Sequence, residues 1–489
     1  MNNSHMKLVT LILWIPLLAL MASSCATNPV SGKQDFVTVS EAEEIEQGKA
    51  YHQTILTQYG VYDDPDLQKY VSQIGQELAA NSHRSQLKFT FTLLDTPEIN
   101  AFALPGGYVY ITRGIMAYLG SEAELAGVLG HEIGHVTARH SVRQQSGKLA
   151  STLLNVLIAA TTGSDSLGSL SQQLSTGILR GYGREHELEA DRLGAEYLHK
   201  TGYDPESMIE VIGVLKEQEI YERALAKKQK RSPNIYHGVF STHPENDQRL
   251  QTVVRAASSL SDKVYRASNQ SGYYNHIDGM AWGQSIKQGV VVDNRFSHPD
   301  LAFALQLPEA WRVRNNPDYL EAKNSATDAF IRVSMIARND NESAAAILKR
   351  LRKDNNLAVK KEPYGATAKI RIRLRNGEYQ PARISAIEFD DTQALLLFGT
   401  AGEAHFDASD TQFLQVNQSF VRLTPQQVGE IRAARLHIVD RSNSDSFDSL
   451  ALKSAIEYDA ASILRLLNRA FPDGNITDLD KLKIVNFDD

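Results

Sequence analysis

The sequence predicts a multidomain protein: a mainly α-helical domain with a small edge-strand sheet, followed by an α+β domain and a small βααβ module. Capped helices with apolar periodicity dominate residues 28–270. Short alternating strands with turn residues dominate residues 271–428, and residues 432–487 show the order strand, helix, helix, strand. The 489 residues suffice for about three domains.

Residues 1–25 predict an export signal that ends at a lipid-modified cysteine. Residues 8–21 form an apolar run that is too short to span a membrane comfortably and is typical of a signal-peptide core. The three residues before Cys25 resemble a bacterial lipobox, and Ala26 resembles the sorting pattern for the outer membrane. The alternative is a simple cleaved signal with an unmodified thiol. Translation starts at Met1 or at Met6.

A capped helix in the first domain carries residues with metal-ligand spacing. Ser121 is the predicted N-cap and Glu124 completes an S-x-x-E capping box. The sequence H-E-I-G-H then places His131 and His135 four residues apart, on one face of the helix, with Glu132 beside them. Two imidazoles in this arrangement can bind one metal ion, and the carboxylate can act as a base. The alternative is two histidines whose hydrogen bonds are satisfied in the core or at the surface.

A third ligand is required downstream, because a catalytic zinc site uses three protein ligands and an open position. Residues 182–200 contain Glu187 and Asp191, again four apart on a predicted helix. Glu187 could complete the coordination sphere, and Asp191 could accept the other ring N–H of a ligand histidine. The alternative is a charged, solvated helix, whose residues facing water would be Glu185, Glu187, Glu189 and Arg192.

Four segments together resemble a known family. They are HEIGHVTARH, REHELEADRLG, NAFALPGGYVYITRGIMAYL at residues 100–119 and STHPENDQRL at residues 241–250. In this order they resemble the gluzincin zinc metallopeptidases of the HtpX, CaaX prenyl protease and BepA type. The resemblance covers about residues 28–255.

The resemblance implies a zincin-type metallopeptidase fold for the first domain and one Zn²⁺ per chain. By position in the motifs, His131, His135 and Glu187 match the zinc ligands of the family. Glu132 matches its catalytic glutamate. Asp191 matches an aspartate that hydrogen-bonds a ligand histidine without binding the metal. The implied reaction is hydrolysis of a peptide bond, with Glu132 moving the proton of the attacking water.

A glycine turn predicts two short strands beside this site. The first strand contains Ala101, Phe102, Ala103 and Leu104, and the alternating residues 108–111 follow Gly106 and Gly107. A strand edge near zinc could hold an extended peptide by main-chain hydrogen bonds. An ordinary structural hairpin is the alternative, and the family resemblance favours the substrate role.

His243 is a further candidate for the catalytic site, in a loop before Pro244. It could be a fourth metal ligand that blocks the water position, or a donor to the transition-state oxyanion. The third alternative is a solvated loop histidine.

The composition argues against cysteine-based chemistry and against nucleic-acid binding. Cys25 is the only cysteine, so neither a disulfide nor a second thiol nucleophile is available. The net charge of -7 provides no basic field for nucleic acid.

In the second domain the sequence indicates no cluster of titratable residues that could be catalytic. Strands are expected at residues 303–307 and 369–374, a helix at residues 343–351, and a hairpin turn at residues 376–377. In the C-terminal module, the element order and Leu467-Asn468 resemble a LysM module. Ser444-Asp445-Ser446 replaces the usual Gly-Asp-Thr, so glycan binding and a degenerate interaction module both stay open.

These observations favour a zinc endopeptidase anchored in the outer membrane and facing the periplasm of a Gram-negative bacterium. The resemblance implies that it degrades misfolded or stalled envelope proteins. Outer-membrane assembly machinery and peptidoglycan are further candidate partners. The alternative is a chaperone or assembly scaffold for outer-membrane proteins with a latent peptidase site.

Overall fold

The computed structural model describes residues 25–146, 182–229, 231–233, 252–253, 255–256, 259–260, 264–309, 311–315, 319–324, 326–374 and 377–487. These residues form two compact units. The first contains the described chain up to Met280 together with Arg435–Asn486, and the second contains Ala281–Ala434 and Phe487. The chain therefore leaves the first unit and returns to it near the C-terminus.

A hairpin and a capped helix begin the first unit. Strands β1 (Cys25–Thr27) and β2 (Gln34–Phe36) pair in antiparallel register. Helix α1 (Glu41–Tyr59) starts at a reciprocal capping box, in which Ser40 accepts from the Glu43 N–H and the Glu43 carboxylate accepts from the Ser40 N–H. The box satisfies two backbone donors that the first turn would otherwise leave unbonded.

Helix α2 (Pro65–Ala80) packs its apolar face into the same unit. Asp64 caps it by accepting from the Leu67 N–H at 2.9 Å, and Pro65 occupies the first turn, where its missing N–H is not needed. Its buried side chains recur at helical spacing, which explains why one side faces the core: Leu67, Val71, Ile74 and Leu78.

A three-stranded sheet follows, with the predicted glycine turn at one end. Its strands are β3 (Thr90–Leu94), β4 (Ala101–Leu104) and β5 (Tyr108–Thr112), in the order β3-β5-β4. β5 is parallel to β3 and antiparallel to β4, so β4 lies at an edge as predicted. Gly107 has φ 93°, and a Cβ there would lie 2.6 Å from the Lys88 carbonyl oxygen, so the turn requires glycine.

The described chain then forms α3 (Arg113–Tyr118), α4 (Glu122–Thr137), α5 (Arg184–Thr201), α6 (Ser207–Lys228) and α7 (Gln270–Ile277). Ser121 caps α4 by accepting from the Glu124 N–H at 3.2 Å, which confirms the predicted start. The Glu124 carboxylate does not close a reciprocal box. It accepts instead from the Gly120 N–H at 2.9 Å. Among the described residues, no helix combines the length and the apolar character needed to cross a membrane.

Helix α4 differs from the amphipathic helix that its sequence predicts. Every residue from Ala123 to Thr137 is buried. The reason is that α2, α5, α6 and β4 all pack against it. The approach of α5 is especially close, because a Cβ on Gly134 would lie 2.9 Å from the Ala190 carbonyl oxygen. Two helices can pack more closely where one has a glycine at the contact than where it has a larger residue. Helix α4, which carries His131 and His135, is therefore a core element of this unit.

The second unit is sheet-rich. Its strands are β6 (Val290–Val292), β7 (Arg295–His298), β8 (Phe303–Gln306), β9 (Arg312–Asn315), β10 (Tyr319–Lys323), β11 (Phe330–Ala337), β12 (Lys360–Glu362), β13 (Gly365–Arg373), β14 (Tyr379–Glu388), β15 (Gln393–Thr400) and β16 (Val421–Arg422). Its helices are α8 (Ala344–Arg352), α9 (Phe406–Gln418) and α10 (Pro425–Gly429). One antiparallel sheet has the order β12-β13-β14-β15-β11-β10-β9, and another has the order β16-β8-β7-β6.

The strands, the helix and the hairpin expected in this region are confirmed where the structure describes them. The expected strands correspond to β8 and the second half of β13, and Ser343 caps α8 by accepting from the Ala346 N–H. β13 and β14 form the expected hairpin, and Gly377 in its turn has φ 90°, whereas Asn376 lies outside the described residues. Large apolar side chains fill the core of this unit, among them Phe303, Trp311, Phe413 and Phe420.

The C-terminal segment has the predicted order strand, helix, helix, strand. Its elements are β17 (Ala434–Asp440), α11 (Phe447–Ala451), α12 (Ala460–Leu467) and β18 (Lys481–Phe487), and the two strands pair with each other. α12 contacts α3 and α6 of the first unit. The segment is thus packed onto the helical domain.

Two cations of this segment bind the region where α3 ends and α4 begins. Lys483 is buried, and its Nζ donates to the carbonyl oxygens of Ala117 at 2.9 Å and Leu119 at 2.5 Å. Arg469 donates to the carboxylate of Glu124. Because carbonyls at the end of a helix lack intrahelical partners, Lys483 satisfies acceptors at the end of α3.

Lys483 predicts a pH dependence of stability. Burial lowers the pKa of its ammonium group to about 7. A lysine in the unfolded chain has a pKa of about 10.4, so between these values the unfolded state binds more protons and folding becomes more favourable as pH rises. We expect the free energy of unfolding of the first unit, relative to that of Lys483→Met, to increase between pH 7 and pH 10.

Denaturant titrations at several pH values measure this difference. Lys481→Met is the matched control, because Lys481 lies on the same strand and is exposed. A parent and Lys483→Met whose stabilities change in parallel over this range would contradict the prediction.

Candidate metal centre

Three of the predicted ligands converge between α4 and α5. The His135 Nε2 lies 3.0 Å from the His131 Nε2. One carboxylate oxygen of Glu187, Oε2, lies 3.6 Å from the His131 Nε2. The other, Oε1, lies 3.4 Å from the His135 Nε2. All three side chains are buried. The i, i+4 spacing on α4 and the close approach of α5 therefore bring two imidazoles and one carboxylate to one point.

These residues fit a zinc ion. Zinc binds nitrogen and oxygen ligands at about 2.0–2.2 Å, and at tetrahedral angles such donors lie about 3.3 Å apart. The three observed separations bracket that value. Burial lowers the pKa of His135 well below its ordinary value, which favours the neutral imidazole that a metal requires. The donor set and its spacing match a three-ligand site.

Asp191 holds the first histidine. Its Oδ1 lies 2.8 Å from the His131 Nδ1, and its side chain is fully buried. We call the converging ligand atoms of His131, His135 and Glu187 the ligand cluster. Because the His131 Nδ1 donates to the Asp191 carboxylate, the His131 Nε2 carries no proton and can face this cluster. The structure thus places Asp191 where it can orient a metal ligand without binding the metal itself.

Glu132 follows His131 on α4 and lines a cavity together with it. Its side chain is only 1% exposed. It lines a mostly apolar cavity together with His131, with Ala101 of β4 and with a row of side chains from α6: Met208, Val211, Ile212 and Leu215. The Glu132 carboxylate therefore borders this small cavity next to His131.

Strand β4 passes along the site from one cavity to another. Ala101 borders the cavity at Glu132, whereas Ala103 and Leu104 border a second cavity that is lined by His135. Phe102 points to the other face, where it packs with aromatic residues of the sheet. The predicted edge strand is therefore adjacent to the ligand cluster along its length.

Two residues near His135 were not predicted from the sequence. The ring of Tyr182 stacks on His135 at 3.9 Å between centroids, and its hydroxyl lies 2.7 Å from the Ser141 hydroxyl. The His140 Nδ1 lies 2.8 Å from the His135 Nδ1. The sequence signal that could have indicated a role for His140 is its position in the segment HEIGHVTARH.

The charged residues of α5 differ in their environments. Glu187 is buried in the ligand cluster and Glu189 is half-buried, with a carboxylate oxygen 3.1 Å from the His140 Nε2. The His140 contact and Arg143 lower the pKa of Glu189 to about 2. Glu185 is exposed. A uniformly solvated helix, the alternative considered for this segment, is therefore wrong.

Other predicted residues are placed only in part. His243 lies outside the described residues. Cys25 is the first residue of β1 and pairs with Phe36 of β2.

Two helices that bring two histidines and a glutamate together, with a second glutamate after the first histidine, define the site of a zinc metallopeptidase. Residues 65–257 match the family model described as Peptidase family M48. This part of the chain is therefore similar to the zinc metallopeptidases of that family.

Three relatives show how far the likeness extends. The beta-barrel assembly-enhancing protease of Escherichia coli (strain K12) is 30% identical over 257 residues, which cover 50% of this chain and 50% of that protein. The protein of the same name from Yersinia pestis is 30% identical over 242 residues and 47% of each chain. The mitochondrial metalloendopeptidase OMA1 of Schizosaccharomyces pombe is 29% identical over 229 residues, covering 46% of this chain and 64% of that protein. The chain spans about half the length of the two bacterial relatives.

Proposed function

We propose that the chain is a zinc-dependent endopeptidase of the bacterial cell envelope that hydrolyses peptide bonds of misfolded or stalled envelope proteins. The observation that carries the activity is the convergence of ligand atoms from His131, His135 and Glu187, all within 4.8 Å of one another. The M48 domain supports the reaction class. The name of the bacterial relatives, beta-barrel assembly-enhancing protease, supports envelope proteins as substrates.

The residues divide the reaction between them. Zinc, when bound by the three ligands, polarises the scissile carbonyl and lowers the pKa of water toward about 7. Glu132 accepts a proton from the attacking water and delivers it to the leaving amine. The C–N bond breaks, the water oxygen stays on the new carboxyl group, and no covalent bond to the enzyme forms. Asp191 keeps the His131 ring oriented throughout.

Strand β4 is the proposed substrate platform. An extended peptide that adds to this edge would run past Glu132 at Ala101 and past His135 at Leu104. Main-chain hydrogen bonds recognise a backbone with little regard to its sequence. The surface beside Glu132 is formed mainly by apolar side chains. Such a site fits unfolded chains, which expose both extended backbone and apolar residues.

Attachment to the outer membrane is proposed from Cys25. Acylation of its sulfur and of its amino group would provide several chains, and several chains anchor a protein stably where one does not. The mature body would then face the periplasm. Mass spectrometry of the mature N-terminus tests this, and an unmodified Cys25 would contradict it.

A chaperone or assembly scaffold for outer-membrane proteins with a latent peptidase site is the second candidate. It is favoured by the large part of the chain that lies outside the M48 match, including the sheet-rich second unit. The LysM-like order of the C-terminal segment supports peptidoglycan as a partner of either candidate, and the name of the bacterial relatives supports the outer-membrane assembly machinery.

Zinc removal tests the proposed activity. The purified mature chain should contain one zinc and cleave a permanently unfolded protein. A chelator should abolish cleavage, and added Zn²⁺ should restore it. Cleavage that persists without metal would overturn the zinc mechanism. A zinc-loaded chain that suppresses aggregation of the unfolded protein without cutting it would favour the scaffold.

A further inference from the structure

We infer that His140 and Glu189 are positioning residues that hold the metal ligand His135, an inference that rests on the proposed zinc site. His135 presents its Nε2 to the ligand cluster, so its Nδ1 faces away from the cluster. That Nδ1 lies 2.8 Å from the Nδ1 of His140. The second ring nitrogen of His140, Nε2, lies 3.1 Å from a carboxylate oxygen of Glu189.

The hydrogen bonds in this series can all run in one direction. A neutral imidazole that binds a metal through Nε2 carries its proton on Nδ1, so His135 donates to His140. His140 accepts at Nδ1 and therefore carries its proton on Nε2, which donates to Glu189. Arg143 donates to the same oxygen of Glu189 at 2.8 Å. The series begins at the metal ligand and ends at a carboxylate that a cation stabilises.

Both histidine ligands are therefore oriented by a hydrogen bond from Nδ1 that leads to a carboxylate. The bond is direct for His131 and passes through His140 for His135. Asp191 accepts directly from His131, whereas Glu189 reaches His135 through one intervening imidazole. His140 is not placed as a fourth ligand, because it contacts the nitrogen of His135 that points away from the cluster.

Packing fixes the orientation of both rings. His140 is fully buried and stacks on His186 at 4.3 Å between centroids. Tyr182 stacks on His135. Rotation of either ring would leave a buried ring nitrogen without a hydrogen bond, which is unfavourable. The arrangement thus preorganises the His135 Nε2 for metal.

The chain reaches this geometry by a turn directly after α4. Arg139 has φ 54°, in the left-handed region, and reverses the chain so that His140 returns to His135. The Arg139 Nε donates to the buried carboxylate of Glu44 at 2.8 Å, which holds the turn in place. His140 is thereby outside the helical periodicity of the metal motif.

Zinc affinity is the direct measurement. We expect His140→Ala and Glu189→Gln to raise the zinc dissociation constant about 10–100-fold, the usual effect of losing a residue that orients a metal ligand. His140→Asn should recover part of the loss, because its amide can accept from His135 and donate to Glu189. Glu185→Gln, at an exposed position on the same helix, is the matched control and should bind zinc like the parent.

Competition with a chromophoric chelator on the full chain measures these constants, and circular dichroism of the metal-free variants checks that they fold. The visible spectrum of the Co²⁺-substituted chain should change in His140→Ala, since it reports the ligand geometry. Parent-like affinity in folded His140→Ala or in Glu189→Gln would overturn the inference alone. A parent that binds no zinc would overturn the proposed function and the inference with it.

Discussion

Glu132→Gln should abolish peptide cleavage while the chain keeps its zinc. The amide has nearly the same shape as the carboxylate but cannot accept the proton of the attacking water. General-base catalysis contributes about 10²–10⁴-fold in rate, so we expect a loss of at least about 100-fold in kcat. The three ligand atoms come from other side chains, so metal content should be unchanged. Cleavage of an unfolded protein, with metal analysis of the same sample, measures both.

The control for this variant is Glu185→Gln, which makes the same chemical change at an exposed position. Its activity should equal that of the parent. Since Glu132 is buried, thermal unfolding of Glu132→Gln must also be compared with that of the parent. Near-normal cleavage by a folded, zinc-loaded Glu132→Gln preparation, free of contaminating proteases, would exclude Glu132 as the base.

The local features of this site could be predicted from the sequence because they follow from short-range periodicity. Residues four apart on a helix share a face, so the spacing of His131 and His135 was sufficient to predict that they meet. The glycine turn and the alternation around it likewise located β4 and β5. Each of these predictions needs only neighbouring residues.

Other features could not be predicted because they depend on contacts between distant segments. The hydrogen bond from the Lys483 Nζ to the Ala117 carbonyl oxygen joins residues that are far apart in sequence, and no local pattern indicates it. The complete burial of α4 depends on what packs against it. His140 lies beyond the helix end, and its contact with His135 depends on the left-handed turn at Arg139. Helical spacing therefore could not assign it.

Replacing Glu187 should have the opposite signature to replacing Glu132. Glu187→Ala removes one of the three ligand side chains, so zinc should be retained far more weakly, by more than the roughly 10–100-fold typical of losing a residue that only orients a ligand. Activity should be lost because the metal is lost. A bound ligand stabilises the folded state by RT ln(1 + [L]/Kd), about 2.7 kcal/mol when zinc is at about 100 times its Kd. The parent should therefore gain thermal stability from added Zn²⁺, and Glu187→Ala should gain much less.

Metal content after dialysis and the zinc-dependent shift in Tm distinguish the two glutamates. Glu185→Ala on the same helix is the control and should retain both zinc and the shift. If Glu187→Ala bound one equivalent of zinc as tightly as the parent, another group would be the third ligand, and Glu189 would be the first to test because it lies on the same helix. Loss of zinc in Glu187→Ala, combined with retention in inactive Glu132→Gln, would separate metal binding from proton transfer at this centre.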